Sequence, residues 1–493
     1  MILGDLLRGA EVLDLYGGAE REIRSLAYDS REAGADGLFF AIRGERTDGH
    51  RYIGQALEKG AVGVVSEIEP PPGFPVAWVR VAAVRRAMAE VSRAFYGQPD
   101  LALMLVGITG TNGKTTTAYL IHSIFEAAGL KTGLFGTIEY RVGDRVLPAP
   151  HTTPESPDLA AYLAEIVRSG GQAAVMEVSS HALAQDRVWG FRFAAAVFTN
   201  LTGDHLDFHK DMEHYFAAKR RLFEGMGTPP PELAVINADD SWGALLRDGP
   251  SSRHVTYGVE SNADVKPRHF SQGPAGMKMT LAVLEKRFDI ESPLIGRANL
   301  ENILAAVAVT DGLGIARGKI QEGIAGLKQV PGRFQKVDEG QPFLVIVDYA
   351  HTHDALRSAL KTAREFTRGR LIVVFGCGGD RDRTKRPMMG EVAGNLSDSV
   401  VLTSDNPRSE DPILIMNDVM VGLQKSGRAY LAEVDREVAI RKALEQAREG
   451  DTVLIAGKGH ETTQVLRDRT LPFDDRQAAR NVLREMGFNR GAP

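Results

Sequence analysis

The chain has one cysteine, Cys377, in 493 residues, so no internal disulfide can form, and a reducing, cytoplasmic setting is expected. Flanked by Gly376 and Gly378, this thiol reads as a small residue in a tight turn rather than as a nucleophile. No stretch reaches the roughly 18 apolar residues of a membrane helix. The short apolar run at the N-terminus contains Asp5 and lacks a basic leader or small-residue cleavage site, so neither a signal peptide nor membrane insertion is expected. Long basic runs are missing as well: 59 Lys and Arg stand against 64 Asp and Glu, a net charge of −5, which argues against a nucleic-acid partner. Internal repeats and low-complexity tracts are absent, which excludes a solenoid or a disordered array.

What is there is alternation. Short apolar runs at 37–42, 61–66 and 76–81 and a helical stretch at 84–96 suggest a small α/β domain. Gly97-Gln98-Pro99-Asp100 then breaks the chain. Strand, loop and helix recur through runs at 101–108, 173–178, 194–199 and 233–236, which implies a doubly wound, mostly parallel sheet with ligands at the carboxyl ends of its strands. A strand-rich excursion at 255–290 precedes an amphipathic helix from Asn299, and Val330-Pro331-Gly332 closes the segment. The pattern restarts at 343–347, 371–375, 400–403 and 452–455. The expected fold is α/β with three domains: a smaller N-terminal one (1–97), a central one built on a phosphate-binding loop (98–330) and a Rossmann-like C-terminal one (331–493).

One glycine is conspicuously missing. Residues 107–117, Gly-Ile-Thr-Gly-Thr-Asn-Gly-Lys-Thr-Thr-Thr, join a buried strand to a helix start, yet Ile108 stands where the usual phosphate loop has glycine, and the glycines fall at 107, 110 and 113. Unpaired N–H groups and the positive end of the helix dipole favour a polyphosphate there. Gly110, Thr111, Asn112 and Gly113 would cradle ATP, Lys114 would reach its terminal phosphates, and Thr115 or Thr116 would ligate the accompanying magnesium. Glu177, at the end of the 173–178 run, offers magnesium a second hard oxygen ligand. On chemistry alone His205 is more naturally a hydrogen-bonding residue and Lys219 a solvated lysine near the end of a helix starting about Met212, while helix capping and nucleotide recognition explain Asn299 about equally well. Residues 376–387 read as glycine turns holding exposed arginines.

The run Thr-Gly-Thr-Asn-Gly-Lys-Thr-Thr resembles the ATP loop of the Mur ligases, which join amino acids to cell-wall precursors, and of their folylpolyglutamate synthetase relatives. Motifs in family order along nearly the whole chain extend the resemblance, and they imply an ATP-dependent amide ligase. The Asp-His-Leu-Asp run implies a second magnesium at His205, and Tyr-Phe-Ala-Ala-Lys implies that Lys219 is carbamylated to supply oxygen ligands. Asn299 and Asn302 are placed beside the adenine and ribose, with Arg333, Asp348 and His351 completing the ATP contacts; His353 replaces the usual proline. Tyr28, Ser30, Glu45, Arg46 and Thr47 resemble the uridine-diphosphate site, and His151, Thr152, Thr153, Ser179, Gln185 and Arg187 the muramoyl-dipeptide site, with His151 replacing a commoner asparagine. Asp405-Asn406-Pro407-Arg408 resembles the members that select meso-diaminopimelate rather than L-lysine, and Arg381, Gly457 and Glu461 complete that site. An arginine fork binds the distal carboxylate that lysine lacks, and faces nothing if lysine is bound.

The implied reaction phosphorylates a D-glutamyl γ-carboxylate of a UDP-muramoyl dipeptide and passes it to an amine, by a monomer. Three rivals stay open: lysine addition on the same scaffold, folylpolyglutamate synthesis, and a non-catalytic ATP switch, which would need neither Lys219, His205 nor Arg408.

Overall fold

The structure is a computed structural model that describes residues 1–44, 47–250 and 253–489, and within them every side chain except that of Asp207. Three large sheets follow one another along the chain. The first is ordered Val12–Tyr16, Ala77–Val81, Ala61–Ser66, Gly37–Phe40, Ser25–Ala27, and all its pairings but the first are parallel. Its helix Val84–Phe95 presents Val84, Ala87, Met88 and Val91 to the sheet and keeps arginines on the other side.

The central sheet has eleven strands. Its parallel middle runs Arg253–Tyr257, Leu233–Asn237, Ala195–Phe198, Met104–Thr109, Ala173–Glu177, Thr132–Phe135. All of these strands but Arg253–Tyr257 are buried on both faces, which explains their continuous apolar runs. The excursion at 255–290 extends this sheet: Val265–Gly273, Gly276–Val283 and Lys286–Ser292 add an antiparallel meander at one edge, and Glu139–Val142 with Arg145–Pro148 do so at the other. The segment 101–108 divides differently from the reading above, into a 3-10 turn at Pro99–Ala102 and a strand at Met104–Thr109.

The helix carrying the phosphate loop, Lys114–Ala127, packs on the sheet beside Arg297–Gly312, and Arg317–Gly326 crosses over it. The crossing is close: a Cβ on Gly323 would sit 2.4 Å from the Cα of Ile124. Arg297–Gly312 is not the amphipathic helix expected, since residues 302–310 are buried without interruption. A helix covered by sheet on one side and helix on the other has no solvent face to keep polar.

The third sheet is ordered Gln335–Val337, Leu344–Asp348, Thr452–Ala456, Leu371–Phe375, Ser399–Leu402, Tyr430–Ala432, parallel apart from its first pair. Among the described residues no helix is long and apolar enough to cross a membrane.

Candidate active site

The loop after Met104–Thr109 is held by what lies next to it. Thr111 N–H donates to the Asn200 carbonyl (2.8 Å) and Asn112 N–H to Asn200 Oδ1 (2.9 Å), so the loops ending two adjacent parallel strands are tied together. Gly110 (φ +147°) admits no side chain: a Cβ would fall 1.8 Å from Thr199 Oγ1. Gly113 (φ +86°) is similarly confined by Asn302 Oδ1 at 2.4 Å. Thr115 and Thr116, at the start of the helix, are both buried.

Two lysines converge here. Lys114 Nζ donates to the carbonyls of Gly110 and Thr111 (both 2.9 Å), and Lys219 Nζ donates to the same Gly110 carbonyl (2.9 Å) while lying over the Tyr215 ring. Lys219 is neither solvated nor near a helix end. It sits inside Met212–Glu224 and is 1 % exposed, because the apolar face with Tyr215, Phe216, Leu222 and Phe223 carries it inward. Burial, reinforced by the ammonium of Lys114, holds its amine well below the ordinary lysine range. Burial also lowers Lys114.

His205 takes the left-handed conformation (φ +55°) at the start of Leu206–His209, with its ring edge-on to that of His181 and its Nε2 3.5 Å from Asp204 Oδ2. Burial lowers its pKa to about 4, so at neutral pH it is an uncharged imidazole with a lone pair to offer. Glu177, 1 % exposed, accepts from Thr137 N–H (2.9 Å) and Thr137 Oγ1 (3.1 Å), which fixes its carboxylate next to the phosphate loop's strand. Among the described residues no three His, Cys, Asp or Glu side chains form a ready metal cage. The donors present, a threonine hydroxyl, a carboxylate and a neutral imidazole, are few and mostly hard, which suits a magnesium ion that keeps waters and takes its other ligands from phosphates.

The C-terminal domain reaches into this loop. Arg333 Nη2 donates to Thr115 Oγ1 (3.0 Å) and its guanidinium lies 4.5 Å from the centre of the Tyr349 ring. Asp348 accepts from Phe334 N–H (2.7 Å) and Ala350 N–H (2.9 Å), and burial raises its pKa; His351 is bonded through Nδ1 to the Tyr349 carbonyl (2.9 Å). Asn299 and Asn302 share one buried face, with Asn302 Nδ2 donating to Asn299 Oδ1 (3.4 Å) and Thr117 Oγ1 donating to Asn302 Oδ1 (3.3 Å). His353 begins the helix His353–Phe366, where Thr352 caps in place of a proline-set turn.

The residues expected at the dipeptide site gather around Thr153, which is fully buried. Its Oγ1 donates to the Glu177 carbonyl (2.9 Å) and accepts from Ser179 N–H (3.0 Å); Arg187 donates to the Thr153 carbonyl (2.9 Å) and to Gln185 Oε1 (2.9 Å). Thr152 Oγ1 meets Thr137 Oγ1 (3.2 Å), and the His151 carbonyl accepts from Tyr140. Sequence reasoning missed Glu155, two residues beyond Thr153. It lies between Arg187 Nε (3.0 Å) and Arg85 Nη1 (3.1 Å), and the second of these belongs to the N-terminal domain. From that domain Tyr28 also donates to Asp158 Oδ2 (2.7 Å), whereas Ser30 bonds Gln55 and Thr47 bonds Tyr52 within it. Glu45 and Arg46 lie outside the described residues.

The residues expected at the amino-acid site form a separate cluster at the carboxyl ends of Ser399–Leu402 and Thr452–Ala456. Asn406 is its hub: Nδ2 donates to Glu461 Oε2 (2.7 Å), and its carbonyl accepts from Arg408 Nη1 (3.4 Å), which also donates to the Gly379 carbonyl (2.8 Å). Gly379 could carry no side chain here, because a Cβ would meet the Pro407 carbonyl at 1.9 Å. Gly457 packs on Asp405, where a Cβ would lie 2.6 Å from Oδ2. Arg381 is exposed and donates to the Asp380 carbonyl (3.0 Å). The expectation of exposed arginines fails at Arg386, which is 0 % exposed: it donates to Glu410 (2.7 and 2.9 Å), Asp418 (2.9 Å) and the Gly378 carbonyl (3.3 Å), clamping the 378–382 loop to the segment after Arg408. Beneath, the fully buried pair Arg436–Asp475 (2.7 Å) lends guanidinium protons to the carbonyls of Ser404 (3.2 Å) and Ala456 (3.0 Å), fixing the two strand ends. Cys377 packs on Met389, and burial pushes its thiol up to about 12.

Three family descriptions match in series: the Mur ligase family catalytic domain over residues 22–96, the Mur ligase middle domain over 108–310, and the Mur ligase glutamate ligase domain over 332–459. The chain is 54% identical over 472 residues to the UDP-N-acetylmuramoyl-L-alanyl-D-glutamate--2,6-diaminopimelate ligase of Solibacter usitatus, covering 96% of both. A solved structure of a ligase with that same description superposes with a TM-score of 0.71 at 33% identity, covering 99% of each chain. The MurF ligase of Thermotoga maritima, solved in complex with ADP, shares the fold (TM-score 0.62, 20% identity, 89% of this chain and 94% of that one).

Proposed function

The chain belongs to the Mur ligase family, and from that premise we propose that it is the ATP-dependent ligase that adds meso-2,6-diaminopimelate to the D-glutamyl γ-carboxylate of UDP-N-acetylmuramoyl-L-alanyl-D-glutamate, in peptidoglycan precursor synthesis. The observation that carries the substrate reading is the Asn406 hub, which bonds the Glu461 carboxylate through its side-chain amide and the Arg408 guanidinium through its backbone carbonyl. A side chain ending in both an ammonium and a carboxylate complements that pair. Lysine would leave Arg408 desolvated without an anion.

In this reading Gly110 to Thr116 cradle the ATP phosphates, and Lys114 moves from the loop carbonyls onto the terminal phosphates. Arg187, Ser179 and Thr153 hold the dipeptide so that a γ-carboxylate oxygen attacks the γ-phosphorus, forming the acyl P–O bond as the bond to ADP breaks. The amine of diaminopimelate then attacks the carbonyl carbon, the C–O bond to phosphate breaks, and the amine gives up a proton. Positioning and charge neutralisation do this work, with no covalent enzyme intermediate. Thr115 and Glu177 would hold one magnesium, and His205 with Lys219 a second, supplying charge neutralisation for the phosphates. Lys219 fits that role as a carbamate: burial weakens its hold on the proton, which favours the neutral amine that adds carbon dioxide, releasing a proton and gaining two oxygens. The three domains are 1–97, 98–330 and 331–493, and the enzyme acts as a cytoplasmic monomer. The test is phosphate release with all three substrates and with each omitted in turn. Release only from the complete mixture is expected, and release from ATP alone, independent of both acceptors, would point instead to an ATP-driven switch.

A further inference from the structure

We propose that Lys458 is a positioning residue for the amino-acid substrate: it dictates which oxygen of Glu461 receives the distal ammonium, and through that the handedness accepted at the distal carbon. The inference rests on the function proposed above and goes beyond it, since it concerns a residue that does not itself meet the substrate.

Lys458 is 0 % exposed, and its three N–H donors each have an acceptor: Asn406 Oδ1 (3.0 Å), Glu461 Oε2 (3.0 Å) and the Thr463 carbonyl (2.7 Å). An ammonium with every proton engaged has no freedom to rotate or withdraw. Its bond to Asn406 Oδ1, together with that from Val465 N–H (3.0 Å), fixes the amide so that oxygen faces Lys458 and nitrogen faces Glu461. Glu461 Oε2 therefore receives two donors, Asn406 Nδ2 (2.7 Å) and Lys458 Nζ, leaving Oε1 to the substrate. The Glu461 side chain is 27% exposed while Lys458 is enclosed, so the carboxylate opens on the side away from the lysine.

This arrangement has a stereochemical consequence. Glu461 is held by the side-chain amide of Asn406 and Arg408 by its backbone carbonyl, so with the reacting end of the substrate fixing the direction of its chain, a distal carbon satisfies both groups only if its ammonium and carboxylate project in one sense. The opposite configuration turns the ammonium towards a guanidinium. Were Glu461 free to swing, it could follow the misplaced ammonium, and selection would relax.

The test is steady-state phosphate release by Lys458→Met and Lys458→Gln, with meso- and LL-diaminopimelate, which differ only at that centre. For meso-diaminopimelate KM should rise about 10- to 100-fold, the effect of one misplaced hydrogen bond to a charged group. The meso-to-LL ratio of kcat/KM should fall, while KM for ATP and for the dipeptide stays within about twofold of wild type. A purely structural role would lower the folded fraction and leave both the ratio and the KM values alone. If both variants keep the wild-type ratio and KM, the inference is overturned while the function stands; if the wild-type enzyme releases no phosphate with meso-diaminopimelate, the function itself fails and takes the inference with it. Should neither variant fold, a structure of the wild-type enzyme with meso-diaminopimelate decides: its distal amine on Glu461 Oε1, with Lys458 on Oε2, is expected, and the amine on Oε2 or away from Glu461 contradicts it.

Discussion

Replacing Glu155 by Gln removes a single charge that two arginines share. Glu155 Oε2 lies 3.1 Å from Arg85 Nη1, and Oε1 lies 3.0 Å from Arg187 Nε without hydrogen-bond alignment, so this second contact is chiefly ionic. The three side chains are 9%, 24% and 13% exposed, in the order Glu155, Arg85, Arg187, which puts the cluster between a surface and a buried network. At an effective dielectric of about 20 and charges about 4 Å apart, each pair is worth roughly 4 kcal/mol before desolvation. Breaking a buried pair from one side costs about 3–5 kcal/mol, and the access of water to Arg85 reduces this to about 2–4 kcal/mol. Glu155→Gln keeps the shape and an acceptor oxygen, so the loss should be electrostatic. Denaturant unfolding should show that loss, and KM for the UDP-muramoyl dipeptide should rise because Arg187 keeps only its bonds to Thr153 and Gln185 and loses its ionic anchor. In the Arg85→Ala background the same substitution should cost about 1–3 kcal/mol less, since one of the two stranded cations is already gone. Stability within about 0.5 kcal/mol of wild type, with an unchanged KM, would refute the claim that this carboxylate couples the N-terminal domain to the dipeptide residues.

Gly110→Ala should abolish ATP-dependent turnover, because its Cβ would lie 1.8 Å from Thr199 Oγ1 in a backbone conformation only glycine holds easily; equilibrium binding of a nucleotide analogue checks this, with loss of at least about tenfold in affinity expected. His122, buried in the phosphate-loop helix, has its pKa lowered to about 4 by burial from an ordinary 6.5. The unfolded chain therefore binds the extra proton first, so the contribution is complete above pH 6.5 and is lost as pH falls towards 4, by about 3 kcal/mol. Unfolding of His122→Gln followed across that window should show a correspondingly flatter pH dependence. Cys377, with its thiol pushed up to about 12 and packed on Met389, should resist iodoacetamide at pH 8 in the folded protein and react once the protein is unfolded; mass spectrometry distinguishes the two.

Local signals were legible in the sequence wherever a function depends on backbone shape. The spacing of Gly107, Gly110 and Gly113 marked the phosphate loop, and the structure gives the reason: the latter two pack against Thr199 and Asn302 too closely for any side chain. The continuous apolar runs marked the parallel strands, since burial on both faces leaves no polar alternation. Charge burial was not legible. Lys219, Arg386 and Lys458 look like ordinary surface residues in a string of letters, and only the arrival of Gly110, Glu410 and Asn406 from distant segments makes their enclosure tolerable. Glu155 was missed for the same reason, because its partner Arg85 lies 70 residues away in another domain. The helix Arg297–Gly312 misled in the other direction, its few polar residues suggesting a solvent face that the neighbouring helices cover.

The central claim is that this ligase selects an amino acid by its distal zwitterion. The direct measurement offers equimolar meso-diaminopimelate and L-lysine with ATP and the UDP-muramoyl dipeptide and identifies the tripeptide product by mass. The diaminopimelate product should dominate by at least about a hundredfold, the discrimination of a site whose buried polar groups the wrong substrate leaves unpaired. A lysine product in comparable or greater amount would contradict the roles given to Arg408 and Glu461.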